Sequence, residues 1–464
     1  MNRTTSSEAR ALRRNAELRR VRAPGAESGV LAVLAVGLAV YLTLFLDTVV
    51  RGFIRAPYGD GFDILAIEFQ AQDQHDPGGY LWAPHNGHHI VWLRLLTSLD
   101  VRVFHGQSTI FSIAALLAVL AAAVLAARHI WRGVEDKALA CVLAAVAPLA
   151  LWTSLNAFDV SVSINTPYVF AATFAVAAFL LAESQANGVG AALGLLALAA
   201  GAAMGNSVGL ATVPVLMIAV LRRPDRGRLP LLWVAGPILV AIFVFTAGQM
   251  AVQTQVTPET PVEHGVRMLR YFLTFCGLPW SASSERMSTP AGFQPVAQFV
   301  GPSIGLLLVV LGLYLAARPA RGAAARDRLD RFCCSLILFS LAAAAMAVVG
   351  RLNASAGMQV PIRYSVLLAP LHIGIVVLLA IRSRAVGRLN PRNMSVALFV
   401  VLAVGVGHQV AGRYVILRYC GHIRQVLAAY DAGRRTPEMA RYVYPDLRRA
   451  DQMTAEMRRR GVYQ

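Results

Sequence analysis

Long apolar segments separated by short polar connections dominate the sequence. Segments of about 18 to 22 mostly apolar residues recur from Gly29 to Gly412, and about 20 helical residues cross a hydrocarbon core of about 30 Å. The pattern predicts an all-α polytopic membrane protein with about 11 transmembrane helices. The predicted spans are 29–50, 108–128, 138–153, 167–183, 188–204, 207–221, 229–247, 298–317, 331–349, 364–381 and 394–411, and 188–221 could instead be one broken hairpin.

The composition supports a membrane domain. The chain has 464 residues, of which 56% are hydrophobic and 15% are charged, and its mean hydropathy is +0.55. A soluble protein carries about 25% charged residues. The length fits one membrane domain with appended loops and does not require separate soluble domains.

The basic residues are concentrated in short connections between the spans. A net charge of +18 could by itself indicate nucleic-acid binding. The arginines, however, fall in connections such as RHIWRGVEDK, RRPDRGR and RPARGAAARDRLDR. There they predict the cytoplasmic ends of the spans and contacts with lipid headgroups. Membrane lipids are therefore predicted partners, and nucleic acid is not.

The same charge bias predicts which segments lie on which side of the membrane. Residues 1–28 form an arginine-rich cytoplasmic tail, and residues 29–411 form the transmembrane domain, with long outer loops at 51–107 and 248–297. Eleven spans place the helical C-terminal tail, 412–464, outside the cytoplasm. The arginines of that tail weigh against export, but long terminal segments cross membranes largely regardless of charge.

The long outer loops contain amphipathic segments. DILAIEFQAQ and HIVWLRLLTSLDVRVF in the first loop, and EHGVRMLRYFLTFCGLPW in the second, place apolar residues at helical spacing. We expect helices that lie flat at the membrane surface, with Trp82 and Trp92 at the headgroup level. Ordinary packing of amphipathic helices would produce the same spacing, so the alternative stays open.

Two carboxylates, Asp60 and Asp63, follow the first apolar span directly. A carboxylate at the outer face, next to a cavity that admits lipid, could act as a general base on a hydroxyl group. Partial desolvation would raise its pKa and improve it as a base. The YGDG sequence around Asp60 is also typical of a turn or helix cap. Asp63 falls in the first helical turn, where a negative charge complements the helix dipole.

A cluster of polar residues follows in the segment APHNGHHIVWLRLL. It contains His85, Asn86, His88, His89 and Arg94. On a helix, His85 and His89 would share a face and could bind a divalent metal, although Pro84 and Gly87 weaken that helix. The same residues could instead hydrogen-bond sugar hydroxyls or a phosphate, or form a purely structural network.

Arginines also flank the short outer connection GRLNASAGMQVPIRYS. The guanidinium groups of Arg351 and Arg363 could bind a lipid-linked phosphate through two oxygens, or could anchor the span ends to bulk headgroups. Polar residues at other span ends could line the same cavity, or could satisfy backbone groups there. They are Asn156, Asp159, Asn165 and Asn206.

These features together resemble the GT-C class of membrane glycosyltransferases. An acidic residue after the first span, interfacial helices in the outer loop and ten or more spans are typical of that class. PHNGHHIVWLRLL is similar to an H-N-E-H-R-I pattern of an uncharacterised family of bacterial multi-span proteins. Further similarities are GNSVGLATVPVL, the pair Gly350-Arg351 followed by Arg363-Tyr364-Ser365, and the C-terminal VYPDLRRADQMTAEMRRRGVY. Gly87 and His89 depart from the pattern, which has Glu and Arg at those positions.

The resemblance implies a polyprenyl-phosphate sugar as donor and a glycan or lipid as acceptor. It implies an active site on the outer face of the cytoplasmic (inner) membrane of a bacterium. Asp60 would be the base, with Asp63 as the second choice. The substrate-binding residues would be His85, Asn86, His88, Arg351, Arg363 and Tyr364.

Other functions and a cofactor remain open at this stage. Some members of the class use a divalent metal such as Mg²⁺ or Mn²⁺, but no ligand set is evident here and the cofactor stays unknown. A transporter or flippase of lipid-linked glycans is the alternative outside the enzyme class. A glycan polymerase or ligase would share the donor and the large outer loops.

Overall fold

The chain is a helical membrane protein. A computed structural model describes residues 24–55, 57–86, 88–184, 188–223, 230–246, 260–281, 294–318, 324–352, 360–385, 391–436 and 439–462. Helices account for nearly all of these residues, and a two-stranded hairpin is the exception within them. The prediction of an all-α membrane protein is confirmed at this level.

Helices α1 to α19 follow one another with short connections. They are α1 (Pro24–Gly52), α2 (Gly61–Gln74), α3 (Pro77–Trp82), α4 (Val91–Val103), α5 (Thr109–Gly133), α6 (Lys137–Leu151), α7 (Ser154–Ser161), α8 (Thr166–Glu183), α9 (Val189–Gly205), α10 (Thr212–Leu221), α11 (Pro230–Thr246), α12 (Pro261–Cys276), α13 (Leu278–Ser281), α14 (Gln294–Ala317), α15 (Ala324–Leu352), α16 (Ala369–Ala385), α17 (Pro391–Asp431), α18 (Met439–Tyr442) and α19 (Leu447–Arg459). The hairpin strands, β1 (Pro84–His85) and β2 (His88–His89), lie between α3 and α4. Short 3₁₀ helices precede α8, α10 and α16.

Each of the eleven predicted spans falls on a helix, but the helices differ in length. Within the described residues, six helices are long and apolar enough to cross a membrane, or seven if the bent pair α6 and α7 counts as one span. Three further apolar helices, Val189–Gly205, Ser207–Leu221 and Leu231–Thr246, are shorter. The first residues of α17, which include the first eight of the predicted span 394–411, are described as backbone only.

The bend of 50° between α6 and α7 has an identifiable backbone cause. Helix α6 stops at Trp152, and Thr153 begins α7 by accepting a hydrogen bond from the amide of Asn156. The Asn156 side chain donates to the carbonyls of Ala150 and Leu151 at 3.1 and 3.0 Å. Buried backbone groups in a membrane must be satisfied within the protein. Asn156 therefore stabilises the break, as the structural alternative predicted.

Gln409 of α17 also satisfies backbone groups at this helix break. Its amide nitrogen donates to the carbonyl oxygens of Tyr41 and Trp152, and its amide oxygen accepts from the backbone of Ser154 at 2.7 Å. The side chain is fully buried. One glutamine therefore joins α1, the helix break and α17 in the bundle.

Glycines allow α12 and α14 to pack with their backbones in contact. A Cβ atom placed on Gly305 would lie 1.8 Å from the carbonyl oxygen of Leu273, and one on Gly277 would lie 1.9 Å from the carbonyl oxygen of Gly301. Small residues spaced four apart allow such close approach between membrane helices. Gly301 and Gly305 have this spacing on α14.

Several arginines that mark the cytoplasmic ends of the predicted spans form ion pairs between helices. Arg382 of α16 contacts both carboxylate oxygens of Asp330 of α15, at 2.8 Å each. Arg331 of α15 contacts Glu183 of α8 at 2.9 Å. These side chains therefore hold the bundle together, in addition to any contact with lipid headgroups.

The C-terminal segment lies against the first long loop. Helix α17 has 41 residues, or about 60 Å, twice the thickness of a hydrocarbon core, so its second half extends beyond the apolar part of the bundle. Residues of α17, α18 and α19 share an apolar cluster with Phe62, Leu65 and Phe69 of α2. The C-terminal tail therefore packs against the loop 51–107.

Candidate functional site

Asp60 lies at the start of α2, directly after the turn that follows α1. It occupies the cap position, but its side chain makes no capping hydrogen bond. Its carboxylate instead approaches the hairpin, with Oδ2 at 3.5 Å from His85 Nε2 and 3.4 Å from Asn86 Nδ2. The Asp60 side chain is 49% exposed. The carboxylate therefore faces the hairpin and the solvent rather than the end of its own helix.

The tight hairpin β1–β2 brings His85 and Asn86 to Asp60. His85 pairs with His88, and Pro84 pairs with His89, in antiparallel register. Asn86 has a φ of 49°, a left-handed conformation that asparagine tolerates better than most residues. The alternative in which His85 and His89 share a helical face therefore does not occur. Asn-Gly at positions 86–87 is the strongest short hairpin signal, and it identifies this turn from sequence.

Asp63 faces a different part of the molecule. Its Oδ1 accepts a hydrogen bond of 2.6 Å from the Tyr444 hydroxyl and lies 3.1 Å from Arg449 Nη2. Burial, and then the hydrogen bond to Asp63, raise the pKa of Tyr444 to about 12. The tyrosine therefore stays protonated at neutral pH, and its hydroxyl donates a hydrogen bond to the carboxylate of Asp63. Sequence reasoning did not identify Tyr444 or Arg449 because no local pattern marks a partner so far along the chain.

The other two histidines of the hairpin segment contact membrane helices. His88 Nδ1 lies 2.7 Å from the hydroxyl of Ser207, which follows α9. His89 is buried, stacks on Trp82 with ring centroids 4.5 Å apart, and lies 2.9 Å from the hydroxyl of Thr246. Burial lowers the pKa of His89, so its ring is neutral at pH 7. His88 and His89 therefore hold the hairpin against the bundle.

The predicted phosphate-binding arginines lie at the ends of α15 and α16. Arg351 is in the last turn of α15, and its side chain is outside the described residues. Arg363 lies on the 3₁₀ helix Ile362–Leu368, and its charge acts on the fully buried carboxylate of Asp159 in α7. Tyr364 is buried between the rings of Tyr168 and Phe275, at centroid distances of 5.1 and 5.0 Å. Tyr364 thus packs inside the bundle.

An apolar cavity of about 330 Å³ lies near the helix break. Its walls come from α1, α6, α16, α17 and the start of α13, and Val404 at its edge is 48% exposed. The polar groups in its wall include Ser365, whose hydroxyl donates to Asn156 at 2.7 Å, and His372, which accepts from Trp280 at 2.7 Å. These groups are already paired, so the cavity offers a mainly apolar surface to a ligand.

Two further polar residues predicted for the span ends, Asn206 and Asn165, lie at the starts of helices. Asn206 accepts a hydrogen bond from the amide of Val208 and starts the 3₁₀ helix Ser207–Ala211. Asn165 is buried at the start of α8. Neither residue lines the apolar cavity.

Metal binding by the histidine segment has no support from the geometry. Across the residues that the structure describes, no group of three or more His, Cys, Asp or Glu side chains is close enough to hold an ion. Asp60 and His85 alone would supply two ligands, whereas protein metal sites use three or four.

The fold therefore brings Asp60, His85 and Asn86 together. The other predicted residues described above make packing or anchoring contacts; they are Asp63, His88, His89 and Tyr364. No protein-family model, no curated protein and no solved structure matches this chain.

Proposed function

We propose that the protein is a GT-C-like membrane glycosyltransferase that moves a sugar from a polyprenyl-phosphate donor to a glycan or lipid acceptor. The observation that carries this proposal is the half-exposed Asp60 carboxylate beside His85 and Asn86, at the start of α2 and eight residues after the first membrane helix. A carboxylate of this kind is placed to accept a proton from a hydroxyl group at the membrane surface.

The chemistry requires one base and a stabilised leaving group. Asp60 would take the proton of the acceptor hydroxyl while the oxygen of that hydroxyl forms a bond to the anomeric carbon of the sugar. The bond from that carbon to the phosphate oxygen breaks, and the polyprenyl phosphate leaves with the electron pair. Cations near the leaving phosphate lower the barrier because charge develops there. Arg363 and Arg351 are the residues proposed for that role.

The apolar cavity fits the hydrocarbon part of such a donor. It lies among membrane helices, and Gly405 on its wall has space for a side chain, since an added Cβ would lie 3.8 Å from Tyr41. We expect Gly405→Leu to raise the KM for a long-chain polyprenyl donor about tenfold, with little change in kcat, because the leucine occupies the space of the chain. Transfer rates measured at varied donor concentration test this.

The control for the cavity prediction is Gly407→Leu. Gly407 lies on the same helix, does not line the cavity, and has open space where a Cβ would be added. Equal effects of the two substitutions on KM would show that the cavity does not hold the donor chain.

Membrane topology supports an extracytoplasmic site. Because the tail packs against the first loop, we infer that both lie on one side of the membrane. The helices after α1 then cross the membrane an even number of times, and the total including α1 is odd. Eleven spans satisfy this condition. The positive-inside tendency then assigns the loop and the tail to the outer face of the cytoplasmic membrane.

A transporter or flippase is the second candidate, because of an ionisable carboxyl group inside the bundle. Asp159 is fully buried on α7, which follows a sharp helix break, and Arg363 is the cation that acts on it. Broken helices and buried charges are typical of transport sites. The purified protein in liposomes distinguishes the two: a transporter moves the labelled donor across the bilayer without forming product.

The proposed function is tested by mass spectrometry of envelope glycans from a deletion strain. We expect the loss of a defined sugar substituent, and its return when the gene is restored. An unchanged glycan profile in the deletion strain would contradict the proposal. The same profile separates a transferase from a polymerase or ligase, because loss of a polymerase or ligase shortens or removes whole chains rather than one substituent.

A further inference from the structure

The C-terminal segment contacts the helix that carries Asp60 at both of its ends. At the first turn of α2, the carboxylate of Asp63 accepts a hydrogen bond from the Tyr444 hydroxyl and forms an ion pair with the Arg449 guanidinium. At the last turn, Arg460 Nη2 donates to Oδ1 and Oδ2 of Asp73, at 2.9 and 2.8 Å. Helices α2 and α19 have 14 and 13 residues, so each is about 20 Å long. The two helices therefore match in length, and α19 spans α2 from end to end.

Apolar and backbone contacts support the same attachment. The ring of Tyr444 packs edge-on against Phe62 at 5.8 Å, and the Arg460 guanidinium lies 4.7 Å from the centre of the Phe69 ring. The amide of Gly59, the residue before Asp60, donates to the carbonyl of Val443 at 2.6 Å. The tail thus contacts the chain immediately before and shortly after Asp60.

We propose that the segment 443–460 is a strap that positions Asp60, with Tyr444 acting on it through Asp63. Asp63 lies three residues after Asp60 on the same helix, and the charge of Asp60 also acts on Tyr444. A base works only when it is held at hydrogen-bond distance from the proton it removes. Tyr444 and Arg449 are positioning residues in this arrangement, and Asp63 is their anchor rather than a second base. The inference rests on the proposed role of Asp60.

A pair of tyrosine substitutions provides a matched test. Tyr430 donates to Asp451 at 2.6 Å, and burial raises its pKa to about 12, as for Tyr444. Asp451 belongs to α19, so the Tyr430 bond lies within the tail and does not reach α2. Tyr444→Phe and Tyr430→Phe therefore remove the same kind of hydrogen bond. Only the bond of Tyr444 reaches Asp63 and thus the helix next to Asp60.

The experiment uses the full chain in nanodiscs, with two measurements for each variant. We expect Tyr444→Phe to lower kcat for sugar transfer about tenfold, since phenylalanine removes the hydrogen bond that holds Asp63 and the first turn of α2. The donor KM should stay within about twofold, because the strap does not contact the cavity. Hydrogen–deuterium exchange of residues 57–64 should rise. Tyr430→Phe should leave all three quantities within about twofold of the unsubstituted protein.

Two outcomes would overturn the strap. In the first, Tyr444→Phe leaves both kcat and the exchange of 57–64 unchanged. In the second, the two tyrosine variants lose activity equally, which would indicate general destabilisation of the tail. Failure of the proposed function is distinguishable, because the unsubstituted protein would then show no transfer, and failure of the role of Asp60 would appear as full transfer by Asp60→Asn. In both cases the exchange measurement still reports whether the tail holds 57–64.

Discussion

Asp60→Asn is expected to lower the rate of sugar transfer about 10³-fold, within the range of about 10² to 10⁴ for the loss of a general base. Asparagine has nearly the same size and can still accept hydrogen bonds from Asn86 and His85, which lie at 3.4 and 3.5 Å from the carboxylate. It cannot take up the proton of the acceptor. The KM values for donor and acceptor should therefore change by less than about threefold. Initial rates of the purified chain with a polyprenyl-phosphate sugar provide the measurement.

Asp63→Asn is the control for this prediction. Asparagine at 63 keeps an acceptor for the Tyr444 hydroxyl but loses the charge that faces Arg449, at 3.1 Å. We expect a loss of about tenfold or less, since Asp63 acts through the position of α2. A reversed order, with Asp63→Asn more damaging than Asp60→Asn, would assign the base to Asp63. Full transfer activity of both variants would show that neither aspartate is the base, whereas absence of transfer by the unsubstituted protein would favour the transport alternative.

Gly305→Ala is expected to cause the largest loss of stability from a single added methyl group. The new Cβ would lie 1.8 Å from the carbonyl oxygen of Leu273, and neither backbone can move without separating α12 from α14. Overpacking costs about 3 kcal/mol when no flexible side chain can yield. We expect a clear decrease in Tm and in the yield of monodisperse protein, measured by heating in detergent followed by size-exclusion chromatography.

Gly407→Ala is the matched control on another membrane helix. A Cβ at Gly407 meets no atom within 4 Å, so the gain in helix propensity should leave Tm unchanged or slightly higher. Equal losses in the two variants would show that α12 and α14 are not in backbone contact.

The small-residue motif illustrates what local pattern could have predicted. Gly301 and Gly305, spaced four apart in an apolar helix, are a known signature of close helix packing, and the turn at 86–87 carries the Asn-Gly signature of a hairpin. Both features were readable from the sequence. Of the alternatives open for His85 to His89, the shared helical face does not occur, in line with the weakening effect of Pro84 and Gly87 on a helix there.

Other parts of the site had no local signature. The break after α6 depends on Gln409, which lies 255 residues from its partner Ser154. Asp63 and Tyr444 are separated by 381 residues. No periodicity or short motif indicates that such residues meet, because their contact depends on how whole helices pack.

The sequence by itself determined the class of protein and the positions of its helices. Apolar length and helical spacing are local properties, and a backbone in a hydrocarbon environment must satisfy its hydrogen bonds within each helix. The candidate residue Asp60 also follows from its place after the first span. Only the tertiary structure separated Asp60, which turns toward His85 and Asn86, from Asp63, which anchors the C-terminal tail. Two aspartates in the same sequence context differ because the folded chain supplies them with different neighbours.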